Sequence, residues 1–479
     1  MVLTQSPNQP THAWARAVLQ SAQEFGPLPL HTLAGAIPAG LRGSLYRNGP
    51  ALLARAGQRV GHWFDGDGGI LAVHFNEAGA IGVYRYVQTT GYQEEQQAGR
   101  FLYGGYGSLA AGPWWQRFSK SVKHAANTSV LALPDRLLAL WEGGPPYALS
   151  LENLDTIGLD SLGGLQGKPF SAHPKRDPHT GDIFNFGVSL GAGARLNLYR
   201  CDAAGQIRQQ NSIPLAGLPL IHDFVLAGRY LVFCVPPVQI QALPVLCQMQ
   251  AFSDAMRWRP EQGTQILVCD RDSLKLVCRL EAEPWYQWHF GNGYELPDGS
   301  VVLHIARYAD FQTNQRLKEI ATGTIQTPAR STLWQLRLDP VAGKLLQWAE
   351  VAPVSCEFPV INPQEVGQPC RSTYLVIHQS GTDTISEVFD GLARFDHRTG
   401  QITATTWGQG RYPSEPLYAP DGLDPELGWI LSVVYDGNNE TSELWIYAAD
   451  QLDGEPVCRL SLPEIVPLGF HGTWQPKRS

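Results

Sequence analysis

Short apolar runs bounded by turn residues recur through the whole chain. Seven pairs of runs place Asp or Asn and a small residue between two apolar segments, which is the pattern of a β-hairpin. The leading turn residues are Asn76, Asn153, Asp202, Asp270, Asp339, Asp396 and Asp450. Subtracting their numbers gives separations of 49 to 77 residues, the length of a four-stranded unit with loops. This pattern predicts an all-β, seven-bladed β-propeller. The unequal spacing is also compatible with a sandwich or a barrel.

A His or a Glu follows six of these seven turns at nearly the same distance, 18 to 21 residues later. The six residues are His173, His222, His289, Glu357, Glu415 and His471. In a propeller, the strand after the outer hairpin of one blade is the innermost strand of the next blade. Residues at this position converge on the central axis. We therefore expect four imidazoles and at least two carboxylates to meet there, which is typical of a metal site.

His289 lies in WYQWHFGNGYE, residues 285–295, among five aromatic side chains. A core histidine that donates one hydrogen bond to a carbonyl is the alternative interpretation of this residue alone. Four neutral imidazoles suit Fe(II), Zn, Cu or Ni, so ligand type does not choose among these metals. A ligating His nearly always gives its second ring N–H to a carboxylate or a carbonyl. Glu357, Glu415 and Glu142, in LLALWEGGPPY, are expected in that role, although each alone could be a surface residue or a local cap.

The composition supports a compact β protein and excludes several functions. The chain has 479 residues, with 49 Gly, 35 Pro and only 17 % charged residues, and we expect one domain over 1–479 with a peripheral segment up to about residue 30. A net charge of −8 without a basic run argues against nucleic acid as a partner. Motifs for nucleotide, acyl-enzyme and zincin chemistry are absent.

The cysteines and the N-terminal residues suggest a cellular location. Eight cysteines without a CxxC pair predict free thiols in a reducing cytoplasm. The first 25 residues lack a signal-peptide pattern, and no run of 18 apolar residues occurs. We therefore expect a protein that is neither secreted nor membrane-spanning. Outside the six turn-related positions, the histidines are expected to be surface or structural residues: His12, His31, His62, His179, His304, His378 and His397, with His124 nearest the site in chain order.

Aromatic residues near the proposed site indicate an apolar tunnel. Trp141 and Trp288 each precede a site residue, and Phe64 and Phe358 flank nearby turns. Neighbours on a strand point to opposite faces, so core packing is the alternative for each of them. With the low charge of the chain, they fit a substrate tunnel that leads to the metal.

Residues 112–123 predict peripheral contact with a membrane. On a helical wheel, the apolar residues of GPWWQRFSKSVKH fall on one side and its basic residues on the other: Trp114, Trp115, Phe118 and Val122 against Arg117, Lys120 and Lys123. A helix of this kind lies in a membrane interface, or alternatively caps the propeller. A second apolar insert at 244–252 could join it around a tunnel mouth, where a lipid-dissolved substrate would enter.

Ten segments together resemble the carotenoid cleavage oxygenase family, and within it the cyanobacterial apocarotenoid-15,15′-oxygenases. They cover nearly the whole chain in the family's order: LRGSLYRNGPAL, FDGDGG, HAANTS, LLALWEGGPPY, FSAHPKRD, IHDF, WHFGNGYE, SCEFPVINP, SEPLYAP and GFHGTW. The resemblance implies a seven-bladed propeller with a helical and loop cap, and one Fe(II) bound by His173, His222, His289 and His471. It matches Glu142, Glu357 and Glu415 to the outer carboxylates and Thr128 to a small side chain beside the open coordination site.

The activity implied by the resemblance is O₂-dependent cleavage of a conjugated double bond into two carbonyl products. The substrate would be an apolar carotenoid or apocarotenoid, cut at the 15,15′ bond to give retinal. Three alternatives stay open: cleavage of a lignin-type stilbene, isomerohydrolase chemistry without O₂, and a propeller that carries carotenoid without chemistry. The expected protein is a cytoplasmic, peripherally membrane-associated monomer.

Two positions depart from the family pattern. The family more often has Ala at Gly293, and we expect this glycine to loosen the inner strand. Stilbene-cleaving relatives have a Lys directly before the Glu to engage a phenol, where this chain has Trp141. An apolar polyene therefore fits better than a stilbene.

Overall fold

The computed structural model describes residues 12–117, 120 and 122–477. Within these residues the chain forms 35 strands and five α-helices, so the prediction of an all-β fold is confirmed. None of the helices in this part of the chain is long and apolar enough to cross a bilayer. The helices are α1 (Arg16–Leu19), α2 (Thr90–Ala98), α3 (Trp114–Arg117), α4 (Ala242–Leu246) and α5 (Gln312–Ile320).

The strands follow one another along the chain, and the connection between Tyr86 and Ser129 contains α2 and α3. The first fifteen are β1 (Phe25–Pro29), β2 (His31–Gly35), β3 (Gly43–Leu52), β4 (Ala54–Arg55), β5 (Gln58–Arg59), β6 (Asp67–Asn76), β7 (Gly79–Tyr86), β8 (Ser129–Ala132), β9 (Leu137–Leu140), β10 (Tyr147–Leu149), β11 (Thr156–Leu159), β12 (Lys175–Arg176), β13 (Ile183–Leu190), β14 (Ala194–Cys201) and β15 (Ile207–Pro214).

The next ten are β16 (Val225–Ala227), β17 (Tyr230–Val235), β18 (Val238–Ile240), β19 (Met256–Trp258), β20 (Thr264–Asp270), β21 (Leu276–Ala282), β22 (Tyr286–Glu295), β23 (Val301–Tyr308), β24 (Ser331–Asp339) and β25 (Lys344–Ala352). The last ten are β26 (Cys356–Val360), β27 (Ser372–Ile377), β28 (Gly391–Asp396), β29 (Gln401–Ala404), β30 (Arg411–Pro413), β31 (Leu417–Pro420), β32 (Gly428–Asp436), β33 (Thr441–Ala448), β34 (Cys458–Ser461) and β35 (Gly472–Pro476).

Five sheets repeat one plan, four antiparallel strands in chain order, as in the blades of a propeller. They are β8–β11, β12–β15, β16-β17-β20-β21, β22–β25 and β26–β29. Two larger sheets are composite, with the orders β1-β7-β6-β3-β35 and β2-β34-β33-β32-β30, and β31 also pairs with β32. The fold is therefore propeller-like with five regular blades, and the prediction of seven alike units is confirmed only in part.

Both ends of the chain are built into the composite sheets. Near the C-terminus, β35 pairs with β3, and near the N-terminus β2 pairs with β34. Trp14 is fully buried, and its indole N–H donates to the Ser386 carbonyl at 3.3 Å. Trp14 thus packs into the core, while β2 is exposed at the edge of its sheet. The division into one domain with a peripheral segment up to about residue 30 stays a prediction. Residues 1–11 lie outside the described residues.

The seven predicted hairpins all form. They are β6–β7, β10–β11, β14–β15, β20–β21, β24–β25, β28–β29 and β33–β34. Asp339 shows why Asp leads such a turn: its Oδ1 accepts the N–H groups of Val341 and Ala342, both at 2.9 Å. The side chain thereby satisfies backbone donors that the turn removes from the ladder.

The apolar core lies between neighbouring sheets. Val232 of β17 and Leu303 of β23 belong to one buried cluster, and Leu333 of β24 and Leu375 of β27 belong to the next. This arrangement leaves the inner strand ends free to present polar groups at the axis. All eight cysteines are free thiols, as predicted.

Of the helix predicted across residues 112–124, α3 covers Trp114–Arg117, and the prediction is wrong at residues 122–124. Val122 instead forms a parallel bridge with Gly104. Lys123 is buried, with its ammonium 2.8 Å from Asp67 and 2.9 Å from Glu95, so it cannot face a membrane. A buried ammonium needs such paired carboxylates, and this requirement overrides the helical pattern. Phe118 and the side chain of Trp114 lie outside the described residues.

The expectation of a loosened strand at Gly293 is also wrong. A Cβ at this position of β22 would lie 2.9 Å from Ala227 Cβ and 2.9 Å from Val225 Cγ2, both on β16. The glycine therefore permits close packing of β22 on the neighbouring blade.

We predict that Gly293→Ala lowers the free energy of unfolding by about 1–3 kcal/mol, the typical cost of overpacking a core. The matched control is Gly191→Ala, because a Cβ there meets no atom within 4 Å. The thermal unfolding midpoint, followed by circular dichroism, measures both. An unfolding midpoint of Gly293→Ala equal to that of the unsubstituted protein would contradict this packing argument.

Candidate metal centre

Four histidines converge at the inner ends of separate sheets. His173 and His222 precede β12 and β16, His289 lies on β22, and His471 directly precedes β35. Their side chains are 7–9 % exposed, and one ring nitrogen of each lies within 4.8 Å of the others. Nε2 of His173 is 2.9 Å from Nε2 of His222, and Nε2 of His289 is 3.2 Å from Nε2 of His471. The spacing rule thus selected residues that the fold brings together.

Each of the three predicted glutamates faces a different histidine. His289 Nδ1 is 2.5 Å from Glu357 Oε2, and His471 Nδ1 is 2.8 Å from Glu415 Oε1. Glu142 Oε1 lies 3.2 Å from His222 Nδ1, although the angle does not make a hydrogen bond. These contacts assign one carboxylate to each of three rings.

The fourth ring, His173, has a different surrounding. Its Nδ1 lies 3.9 Å from Asp223 Oδ1, which is itself 2.8 Å from the Lys175 ammonium. Asp223 also accepts the N–H of Phe290 at 2.9 Å. Asp223 was not predicted from the sequence, although this residue directly follows His222 in the IHDF segment.

Burial and the carboxylates act oppositely on the imidazoles. Burial, together with three neighbouring imidazoles, holds the pKa of His173 well below its usual value. Burial also lowers the pKa of His471, and the Glu415 carboxylate only partly opposes it. For His289, burial is outweighed by the Glu357 carboxylate, and the net pKa is raised. Glu415 has a lowered pKa because His471 and Arg47 outweigh its burial.

The donor arrangement fits a metal ion. When His289 and His471 donate their Nδ1–H groups to Glu357 and Glu415, both Nε2 atoms carry lone pairs that face each other at 3.2 Å. Such lone pairs repel unless a cation lies between them. Neighbouring ligands around a metal with bonds of about 2.1 Å lie about 3 Å apart, close to the two observed separations. The four Nε2-bearing rings would hold the metal, and the carboxylates would orient them.

Two further residues support Glu415 and Glu357 and were not predicted from the sequence. The buried Arg47 guanidinium donates to the carbonyls of Glu415 at 2.8 Å and Phe470 at 3.0 Å. The Tyr308 hydroxyl donates to Glu357 Oε1 at 3.2 Å. Arg47 lies in the LRGSLYRNGPAL segment, but no turn offset points to either residue.

Backbone irregularities aim the side chains. The pairing of β26 with β27 shifts between Glu357 and Val360, and Phe358 has a φ of 51°, which is rare outside glycine. Consequently Glu357 points to His289 while Phe358 stacks on the same ring, with centroids 5.0 Å apart. A bulge redirects side chains in this way.

A cavity of about 510 Å³ adjoins the histidines. This size is within the usual range of small-molecule sites, about 300–1,000 Å³. Its lining includes all four predicted tunnel residues, Phe64, Trp141, Trp288 and Phe358, with Thr128, Glu142 and His289. In a regular strand, Trp288 and His289 would point to opposite faces. Both reach the cavity because the β22–β23 register shifts between Gln287 and Phe290.

Polar contacts fix the walls of the cavity. Trp288 donates its indole N–H to Thr313 Oγ1 at 2.9 Å, and its ring packs edge-on against His222 at 4.9 Å. Thr128 donates its hydroxyl to Asn127 Oδ1 at 3.1 Å, and its carbonyl accepts the His471 N–H at 3.2 Å. Thr128 therefore lies next to the histidine cluster.

Comparison with known proteins places this site in a family. Residues 19–476 match the family described as retinal pigment epithelial membrane protein. The chain belongs to this carotenoid oxygenase family. It is 32 % identical to apocarotenoid-15,15′-oxygenase of Synechocystis sp. over 98 % of each chain. It is 27 % identical to resveratrol cleavage oxygenase 1 of Aspergillus fumigatus, covering 92 % of this chain and 91 % of the relative.

Solved structures agree with this family membership. Cobalt-substituted Synechocystis apocarotenoid oxygenase superposes with a TM-score of 0.86 at 30 % identity, covering 97 % of this chain and 98 % of the other. A variant of the same enzyme gives a TM-score of 0.88 at 30 % identity, covering 98 % and 100 %. The chain is an enzyme, a carotenoid oxygenase of the cleavage dioxygenase type, as predicted.

We predict that Glu357→Gln weakens Fe(II) binding about 10–100-fold, the usual effect of removing an outer carboxylate. Gln keeps the size of the side chain but loses the charge that favours an Nδ1–H on His289. Anaerobic dialysis against graded concentrations of a competing chelator, followed by iron analysis, measures the affinity. The exposed Glu281→Gln is the control, and Glu357→Gln retaining iron as well as this control would refute the assignment.

Proposed function

We propose that the chain is a non-haem Fe(II) dioxygenase that cleaves a conjugated double bond of an apocarotenoid. The observation that carries this proposal is the four-histidine centre at the wall of an apolar cavity. Iron in that centre would supply the binding and activation of O₂. The name of the Synechocystis relative, apocarotenoid-15,15′-oxygenase, supports the substrate class and the bond. We propose retinal as one product of that cleavage.

The reaction needs no external reductant. One C=C bond and one O₂ are consumed, and each carbon of the broken bond takes one oxygen atom to become a carbonyl. The residues of this chain hold and orient the polyene. Phe64, Trp288 and Phe358 offer ring surfaces beside the centre, and the position of the substrate along them would select the bond that is cut.

We also propose that the cavity is a substrate tunnel covered by the helices and loops of one face. In this proposal, the two composite sheets complete the five regular blades to a closed ring of seven, because β35 and β2 join the chain ends to them. The chain would then act as one domain and as a monomer.

A stilbene is the second candidate substrate, because one relative is named as a resveratrol cleavage oxygenase. The residue before Glu142 is Trp141, which offers no charge to a phenol. Lys123 does line the cavity, but Asp67 and Glu95 already pair with its ammonium. These contacts favour the polyene.

We predict O₂-dependent formation of retinal when the iron-loaded protein meets an apocarotenal in detergent, with products resolved by mass. The anaerobic sample should leave the substrate intact. His289→Ala should lose both iron and turnover, because it removes a ligand. Product formed without O₂ would indicate isomerohydrolase chemistry, and intact substrate with full iron loading would overturn the proposed substrate.

Peripheral contact with a membrane remains part of the proposal, now centred on α4 and the insert 244–252, with Trp115 of the 112–123 segment. Leu243, Leu246 and Met249, in and after α4, are 65–73 % exposed, and Trp115 is 63 % exposed. Leu246 also lines the cavity. Exposed apolar side chains at a cavity mouth would let a lipid-dissolved substrate enter without crossing water.

We predict that the triple variant Leu243→Ser, Leu246→Ser and Met249→Ser loses most of its binding to phosphatidylcholine vesicles in a sedimentation assay. The control is Leu423→Ser, since Leu423 is 76 % exposed and does not line the cavity. Equal sedimentation of the two variants would remove this surface from the proposal.

A further inference from the structure

A second cluster of side chains that could bind a metal is separate from the four histidines. It comprises His304 on β23, Cys370 in the loop before β27, and His397 directly after β28. One donor atom of each lies within 4.8 Å of the others. The rings of His304 and His397 are 4.2 Å apart. The cluster joins two neighbouring blades and a loop.

His304 has a lone pair with no partner. Its side chain is 1 % exposed, and Nε2 lies 3.2 Å from Gln335 Oε1, an acceptor. Nε2 must therefore carry the proton, which leaves Nδ1 as a bare acceptor. Nδ1 is buried and has no hydrogen-bond partner. Burial of an unpaired polar atom is costly, so such an atom needs an explanation.

The other two members have the chemistry of ligands. Burial lowers the pKa of His397 to about 4, so this ring is neutral, and Nε2 lies 2.8 Å from Thr373 Oγ1. Cys370 is 9 % exposed. Burial raises the pKa of this thiol to about 11, although Asn292 and Thr373 side chains hydrogen-bond to it. His397 is half-buried, which leaves a route for an ion from solvent.

We propose that His304, Cys370 and His397 bind a thiophilic divalent cation, Zn²⁺. Imidazole and thiolate are both ligands of tetrahedral zinc, and a water molecule can take the fourth position. Donor atoms around tetrahedral zinc lie about 3.4–3.7 Å apart, which is compatible with three donor atoms that lie within 4.8 Å of one another. The thiol loses its proton to solvent as the Zn–S bond forms.

The ion would fasten a loop to β23, the strand that pairs with the histidine-bearing β22. Asn292, three residues after His289 on β22, donates to the carbonyls of Glu365 and Gln368 at 3.2 and 2.7 Å. Residues 361–371 therefore already rest on β22. Zinc would tie this loop, through Cys370, to His304 of the neighbouring blade and to His397, which follows β28 in the blade that contains the loop.

Co²⁺ provides a test that separates the two centres. A thiolate bound to Co²⁺ gives a charge-transfer band in the near ultraviolet, and the four-histidine centre has no thiolate to give one. We expect titration of the full-length protein with Co²⁺ to produce this band and to saturate it by two equivalents per chain, because the four-histidine centre also takes up Co²⁺ without giving the band. Zn²⁺ should abolish the band by displacement, and should raise the thermal unfolding midpoint.

Variants identify the ligands. Cys370→Ser should abolish the band, whereas Cys458→Ser, which removes a buried thiol outside the cluster, should keep it. His397→Gln should retain the thiol and weaken Co²⁺ binding at least tenfold, which keeps the test valid where Cys370→Ser fails to fold. Absence of the band in the folded parent protein, or its persistence in Cys370→Ser, would overturn the proposal.

Discussion

The hydrogen bond from a ring Nδ1–H to a buried carboxylate is the interaction on which the metal centre depends. It sets the tautomer, and the tautomer decides whether Nε2 offers a lone pair or a proton to the axis. Glu357 and Glu415 make this bond to His289 and His471 at 2.5 and 2.8 Å. The buried carboxylates in turn need support, which Tyr308 gives to Glu357 and the Gly472 N–H gives to Glu415 at 2.9 Å. Each of these two imidazoles is therefore held by a carboxylate that is itself held by another hydrogen-bond donor.

The fold can accommodate these buried polar contacts, because its apolar packing lies between sheets and not at the axis. Clusters such as that of Val232 and Leu303 stabilise each pair of neighbouring blades. The inner strands can then place polar groups at the axis without disrupting a central apolar core. Register shifts in β22 and β26 add what regular strands cannot provide, since they turn adjacent residues toward the same space.

Sequence periodicity was sufficient for the features that local chemistry determines. Asp and Asn turns located the seven hairpins, and the constant offset from them located all four histidines. It was insufficient where tertiary contacts override the pattern. The predicted 112–124 helix does not extend to Lys123, because Lys123 is drawn into ion pairs with Asp67 and Glu95. The prediction of seven blades is confirmed only in part, because both chain ends enter composite sheets. Bulges and supporting residues such as Arg47 do not recur at a fixed spacing, so periodicity could not locate them.

In the part of the chain that the structure describes, the sulfur-containing side chains are excluded from the cavity at the axis. Among the described residues, no Cys or Met side chain lines the cavity. Thiolates and thioethers are oxidised readily when they meet activated oxygen. An all-imidazole centre would hold a metal without offering such a group. Cys370, the thiol of the proposed zinc site, is buried and does not line the cavity, so it is separated from the space in which oxygen would react.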